Sequence, residues 1–205
     1  MPNITHLRNT IGSYLGQVLT PEISAAIELS AHAVADASYD PAQFVPMVKG
    51  EFTFQAERLR EILAELHPLH AAHWLETEKH RHGLPLNPDY AAMLADEHAG
   101  QLIQFTVRKG AELVGNLRMY VGTSRHSGTK FASEDTLYLC PHVRGGSTAL
   151  TLMRYVETVL RAIGVREIRC DSKLVNNADV LMRRMGYEAV AIKFVKIFKE
   201  ENHVF

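Results

Sequence analysis

The chain has 205 residues, enough for one domain with a full core and an extension but too few for two ordinary domains. Hydrophobic residues make up 46% and charged residues 22%, proportions that exclude a disordered or fibrous chain. Its 22 Lys and Arg nearly balance 23 Asp and Glu, so no net field steers it to nucleic acid or to an anionic membrane, and neither is expected as a partner. Cys140 and Cys170, both in apolar runs, are too few for a disulfide framework and fit buried free thiols in a reducing, cytoplasmic compartment. We read no signal peptide and no membrane span, because no uncharged apolar run approaches the required length.

Thr20-Pro21-Glu22 is a helix start with cap, proline and acid in order, and the helix should run to about Asp36. Its thin apolar stripe of Ile23, Ile27, Ala31 and Val34 suits a dimer contact, and residues 1–50 are read as a helical N-terminal extension to a domain over 51–205. Phe52 to Gln55 reads as a short strand. Leu59, Ile62, Leu63 and Leu66 then mark a helix that Pro68 should kink or end, with a second piece from Leu69 to about Lys79. Asn87-Pro88-Asp89 opens another helix through about Glu97, closed by Gly100. From Leu102 the period is two: Ile103, Phe105 and Val107 alternate with polar residues, as do Leu117, Met119 and Val121, around a turn at Lys109-Gly110. A polar loop over Thr123 to Ser133 precedes a strand from Thr136 to Cys140. Ser147 to Ile163 is the clearest helix, with Ala149, Leu152, Met153, Val156, Leu160 and Ile163 on one face and Gly164 as cap. A strand over Val165 to Cys170, a short helix over Ala178 to Met185 and one or two strands over Tyr187 to Phe198 complete a mixed α/β pattern.

Tyr138 to Met153 is a strand, a glycine turn and a long helix, an arrangement that aims unpaired backbone N–H groups and a helix dipole at an anion. Neither GxxxxGK[ST] nor GxGxxG occurs, which excludes a Walker loop and the dinucleotide fingerprint. On spacing alone, Gly145-Gly146 could also simply turn the chain. His67, His70, His73, His80 and His82 invite a metal reading, but no HExxH forms and no cysteine pair lies nearby, so no metal is expected.

Arg144-Gly145-Gly146-Ser147-Thr148-Ala149 resembles the [QR]xxGx[GA] motif of the GNAT superfamily of acyl-CoA-dependent N-acyltransferases, with Ser147 where the central glycine is usual. Val165 to Glu188 is similar to that family's next strand, asparagine-bearing turn, short helix and glycine-aromatic pair, and the resemblance spans roughly residues 51 to 198. Trp74 with Glu76, Asn87 to Asp89, His126, and the Glu134-Asp135 pair further resemble a phage and prophage subgroup. The resemblance implies a GNAT-like mixed sheet, acetyl-CoA as co-substrate, and direct attack by an amine of a protein or small molecule in a ternary complex. It implies that Arg144, Gly145, Gly146, Ser147, Thr148 and Ala149 hold the pyrophosphate, that backbone N–H near Leu139 holds the thioester, and that Asn176 or Asn177 touches the cofactor.

An ammonium must lose a proton before it attacks, and Glu134 and Asp135, ahead of His126, are the candidates to accept it. The two acids could equally solvate a loop end. Met182 stands where the family often has a proton-donating tyrosine, leaving Tyr138, Tyr187 or unassisted departure of the thiolate. His70, His73, Trp74 and Glu76 are expected to line the acceptor cleft. Two other functions compete: a catalytically inactive GNAT-fold phage structural or host-interaction protein, and a histidine-based metal-binding regulator.

Overall fold

The computed structural model describes residues 2–35, 38–79, 83–173 and 178–197. Two helices open the chain, α1 (Pro2–Ser13) and α2 (Pro21–Ala35). Thr20 caps α2 as expected, its hydroxyl accepting from Ile23 N–H at 3.3 Å. The sequence reading left α1 unassigned; it lies against α2, where Ser30 donates to the Thr10 hydroxyl at 2.9 Å.

A six-stranded sheet follows, in chain order β1 (Met47–Lys49), β2 (Phe52–Glu57), β3 (Leu102–Lys109), β4 (Glu112–Thr123), β5 (Lys130–Leu139) and β6 (Glu167–Arg169). Each strand pairs antiparallel with the next except β5 and β6, which run parallel across an intervening helix, α5 (Thr148–Ala162). The other helices are α3 (Leu59–Thr77) and α4 (Tyr90–His98) between β2 and β3, and α6 (Ala178–Arg184) after β6.

The sheet is covered on both faces. Leu152, Met153, Val156, Val159 and Leu160 of α5 pack on one, with Phe105, Leu117, Met119 and Leu139. Leu59, Ile62, Leu66 and Leu69 of α3 pack on the other, with Leu102, Leu113 and Tyr138, each such side chain contributing about 1.5–3 kcal/mol. The second cover changes the meaning of the hairpin's polar face. Gln104, Thr106, Asn116 and Arg118, which alternate with the apolar residues, are all buried on the face that α3 covers.

Four sequence expectations are corrected. Helix α3 runs unbroken through Pro68; Pro68 and Ala64, whose carbonyl it leaves free, are both exposed, so water can answer that carbonyl. The loop before β5 is shorter than read, because the strand already begins at Lys130, where the Lys130 ammonium donates to the Ile163 carbonyl at the end of α5, at 2.9 Å. Residues 187–197 lie outside the sheet, with Val190, Ile192 and Phe194 exposed: alternation prepares a strand, but a strand needs a partner edge, and β6, the edge strand on that side, is only three residues long. Cys140 and Cys170 are free as expected but only partly buried.

The caps of the helical pair match the sequence. Asp89 accepts from Ala92 N–H at 2.9 Å at the start of α4. The buried Glu97 carboxylate on α4 in turn accepts from Leu59 N–H at 2.7 Å, placing a negative charge at the positive end of α3.

Candidate functional site

The site is built where β5 leaves its parallel partner. β6 pairs with Phe131, Ala132 and Ser133 and then turns away, while β4 stays paired with β5 as far as Leu139. Residues 134–139 therefore have no strand partner on one edge among the described residues. Cys140 N–H donates to Val114 on β4 at 2.8 Å, so by alternation Leu139 and Leu137 turn their N–H and C=O groups to the open side. Opposite Leu139 stands Gly115, where an added Cβ would come within 2.3 Å of Leu139 Cδ2 and 3.1 Å of the Tyr138 carbonyl, so a larger residue would force the Leu139 side chain and the β5 backbone to shift.

The open edge leads to the glycine loop. Gly145 (φ +111°) and Gly146 (φ +56°) adopt backbone that favours glycine, whereas Ser147, at φ −115°, does not need to be one. Ser147 precedes α5 without a side-chain cap, leaving the first-turn N–H groups of Thr148, Ala149 and their neighbours as free donors at the positive end of the dipole. Its hydroxyl instead accepts from the Lys49 ammonium at 2.8 Å. A groove of about 580 Å³ runs between this loop and the β1–β2 turn, lined by Lys49, Phe52, His142, Gly145, Ser147 and Thr151 among others. These donors fit a pyrophosphate: several N–H groups converge, two glycines allow close approach, and a cation stands by.

Arg144, expected on the pyrophosphate, faces elsewhere. Its guanidinium grips Glu76 of α3 through two hydrogen bonds of 3.0 and 2.6 Å, donates from Nε to the Leu139 carbonyl at 2.8 Å, and lies 5.1 Å from the centre of the Tyr138 ring. Arg144 thereby ties the loop to α3. A second ion pair, Lys173 with Glu78, ties the end of α3 to the segment after β6. Asn176 and Asn177 lie outside the described residues.

The acids sit at a bulge. The β4–β5 register shifts between Arg118 and Met119, leaving Asp135 as the extra residue on β5, so that Glu134 and Asp135 have separate partners. Glu134 turns toward the end of β6 and accepts from Asp171 N–H at 3.3 Å. Burial, and then the negative charges of Asp135 and Asp171, raise its pKa to about 7, near the value that suits a proton acceptor at neutral pH. Asp135 turns to α3 and accepts from Arg118 and from the Thr136 hydroxyl, each at 3.1 Å. His126 is not brought to them. It lies on the exposed loop before Lys130, and four residues of strand, about 13 Å, separate Lys130 from Glu134.

The predicted acceptor residues divide. The His73 ring lies 5.8 Å from that of Tyr138, tilted by 49°, and burial lowers its pKa, favouring the neutral ring. Tyr138 is buried between that ring and Arg144. Trp74 donates its indole N–H to the Leu84 carbonyl at 3.0 Å, and Glu76 is held by Arg144. His70 lies deeper, on the buried face of α3. His67 and His70 both use Nδ1 on the Tyr90 hydroxyl, at 3.3 and 3.0 Å. Met182 is buried in the core, and the Tyr187 hydroxyl is buried near Glu157 and Cys170, outside hydrogen-bonding geometry.

No protein-family model matches the chain, and no curated protein matches it in sequence. Solved structures do. A ribosomal-protein-alanine N-acetyltransferase from Brucella melitensis biovar Abortus 2308 is 17% identical and superposes with a TM-score of 0.57, over 72% of this chain and 99% of that one. The aminoglycoside acetyltransferase meta-AAC0020 from an uncultured soil metagenomic sample, in complex with sisomicin, is 14% identical with a TM-score of 0.59, over 73% and 97%. AAC(6')-Iy in complex with the bisubstrate analog CoA-S-monomethyl-acetylneamine is 16% identical with a TM-score of 0.56, over 74% and 99%. At these identities the likeness is one of fold: the chain has the mixed α/β fold of the GNAT acetyltransferases.

Proposed function

We propose that this chain transfers the acetyl group of acetyl-CoA to an amine by direct attack in a ternary complex. The observation that carries the reading is the open edge of β5 beside a glycine loop and uncapped N–H groups at the start of α5. Acetyl-CoA would supply a thioester whose carbonyl carbon is open to an amine. The N–H groups of Leu137 and Leu139 are free to hold the acyl end, and Gly145 to Ala149 to hold the pyrophosphate. Glu134 takes one proton from the acceptor's ammonium. As the C–N bond forms and the C–S bond breaks, the nitrogen's second proton passes to the departing sulfur, directly or through water, so that CoA leaves as the thiol; Met182 supplies no donor.

The acceptor is an amine of a protein or a small molecule. The neighbours include enzymes named for ribosomal-protein alanine and for aminoglycosides, which supports an amine and leaves its class open. The motifs that resemble a phage and prophage subgroup find no counterpart in these comparisons, and the proposal does not use them. A second copy of the chain is a further expected partner, since Ile11, Leu15, Val18, Leu19 and Leu29 of the α1–α2 region are exposed. Among the described residues, no helix is long and apolar enough to cross a membrane.

Calorimetric titration with acetyl-CoA tests the reading. Saturable binding is expected, weakened at least tenfold in Arg144→Glu, which sets a negative charge beside the loop, and retained in Glu76→Gln, which frees Arg144 without changing the loop. A folded wild-type protein that binds no acetyl-CoA would overturn the enzyme and leave a scaffold.

A further inference from the structure

Arg118 is 2% exposed, the largest fully buried side chain among the described residues, and the chemistry above does not use it. A guanidinium out of water is tolerated where its donors and its charge are answered. Three groups answer this one. Nε donates to Gln104 Oε1 at 3.2 Å, one terminal nitrogen donates to Asp135 Oδ2 at 3.1 Å, and the other donates to His70 Nε2 at 2.9 Å. An arginine does not give up its proton, so the contact with His70 has one direction. His70 must accept at Nε2 and carry its proton on Nδ1, which donates to the Tyr90 hydroxyl; Tyr90 is left to donate to His67. Burial first, and then the charge of Arg118, hold His70 neutral. The network thus starts at exposed His67, passes under α3, and ends at the bulge on Asp135.

Asp135 is the one carboxylate in that network. Its Oδ2 accepts from both Arg118 and Thr136, while its side chain stays 42% exposed and Oδ1 has no partner among the described residues. Glu134, one residue earlier, faces Asp171 and Lys173 after β6, with Cys170 beside it. Two adjacent acids at one bulge would otherwise compete for the same proton and the same ammonium.

We propose that Arg118 is a positioning residue that divides the labour of these two acids: it fixes Asp135 as a charged anchor whose free oxygen binds a hydrogen-bond donor of the amine acceptor, and leaves Glu134 to take the proton. The inference rests on the acetyltransferase reading and adds a polarity to it. The acceptor docks from the α3 face of the bulge, where His73 and Tyr138 stand, and the acyl donor lies along the open edge of β5.

Steady-state kinetics on wild type, Arg118→Met, Arg118→Lys, Asp135→Asn and Glu134→Gln, with acetyl-CoA and a panel of amines, test it. Arg118→Met and Asp135→Asn should each raise the acceptor KM about tenfold with kcat within about threefold, and Arg118→Lys should recover part of the loss. Glu134→Gln should lower kcat at least a hundredfold. Loss of kcat at unchanged KM in Asp135→Asn would overturn the division of roles, and that variant leaves the buried arginine in place should Arg118→Met fail to fold. If wild type turns over no amine, the acetyltransferase reading fails by itself, and carboxylate NMR still decides the positioning role. In Arg118→Met the Glu134 titration should move upward by half a pH unit or more, because the neighbouring Asp135 charge is no longer answered by a guanidinium; Arg118→Lys, which keeps the positive charge, should move it less. An unmoved titration in a folded variant would reduce Arg118 to packing.

Discussion

Glu134 is a carboxylate held partly out of water beside Asp135 and Asp171, and its pKa rises from 4.5 to about 7. The fold disfavours its ionised form, so its contribution to stability is full below about pH 4.5 and is lost as pH rises through about 7. Glu134→Gln, which never ionises, should therefore gain on wild type by about 2–3 kcal/mol between pH 5 and pH 8.5, read from urea unfolding at both values. An equal difference at the two pH values would show that the site does not strain the carboxylate. The same proton sets the chemistry: kcat/KM should rise through a limb near pH 7 that Glu134→Gln removes. His70 has the opposite sign. Its pKa is pushed down to about 3 by burial and Arg118, so its contribution is full above about pH 6.5 and fades as pH falls toward 3.

Helix α3 carries the acceptor side of the site at its C-terminal end, through His73, Glu76 and Glu78, and is anchored at its N-terminal end by a residue of another helix. The buried Glu97 carboxylate on Leu59 N–H answers one orphan donor and the dipole together. Glu97→Ala should cost about 1–2 kcal/mol, read from denaturant midpoints. Pro68→Ala should stabilise by up to about 1 kcal/mol, since it restores one bond to an exposed carbonyl while making the unfolded chain more flexible. If Pro68→Ala instead destabilises, the proline is holding a bend that the helix needs.

At the scale of the molecule, the helical pair α1–α2 stands apart from both apolar clusters: the sheet with α3 to α6 holds them, and among the described residues neither contains one from α1 or α2. Removal of residues 1–37 should leave cooperative unfolding and acetyl-CoA affinity unchanged within about twofold. Sedimentation is expected to show the full chain as a dimer and the shortened chain as a monomer. Loss of cooperativity on truncation would make the helical pair part of the core.

Much of this architecture rests on short-range rules that are legible along the chain. The 3.6-residue stripe of α5, the Asp89 and Thr20 caps and the paired glycines at 145 and 146 each depend on neighbours within a turn, and each stands where the sequence puts it. Polar alternation on β4, in contrast, could not say that α3 would bury Arg118, because the covering surface comes from residues 48 positions away. Nor could a basic residue before a glycine turn announce that Glu76, 68 positions earlier, would hold it. The splay of β5 from β6, which opens the site, was expected from the family resemblance alone, because no local rule sets the length of a ladder. Local backbone preferences decide which segments become helix or strand; which faces meet, and which charges are left to answer one another out of water, is decided by packing among elements far apart in the chain.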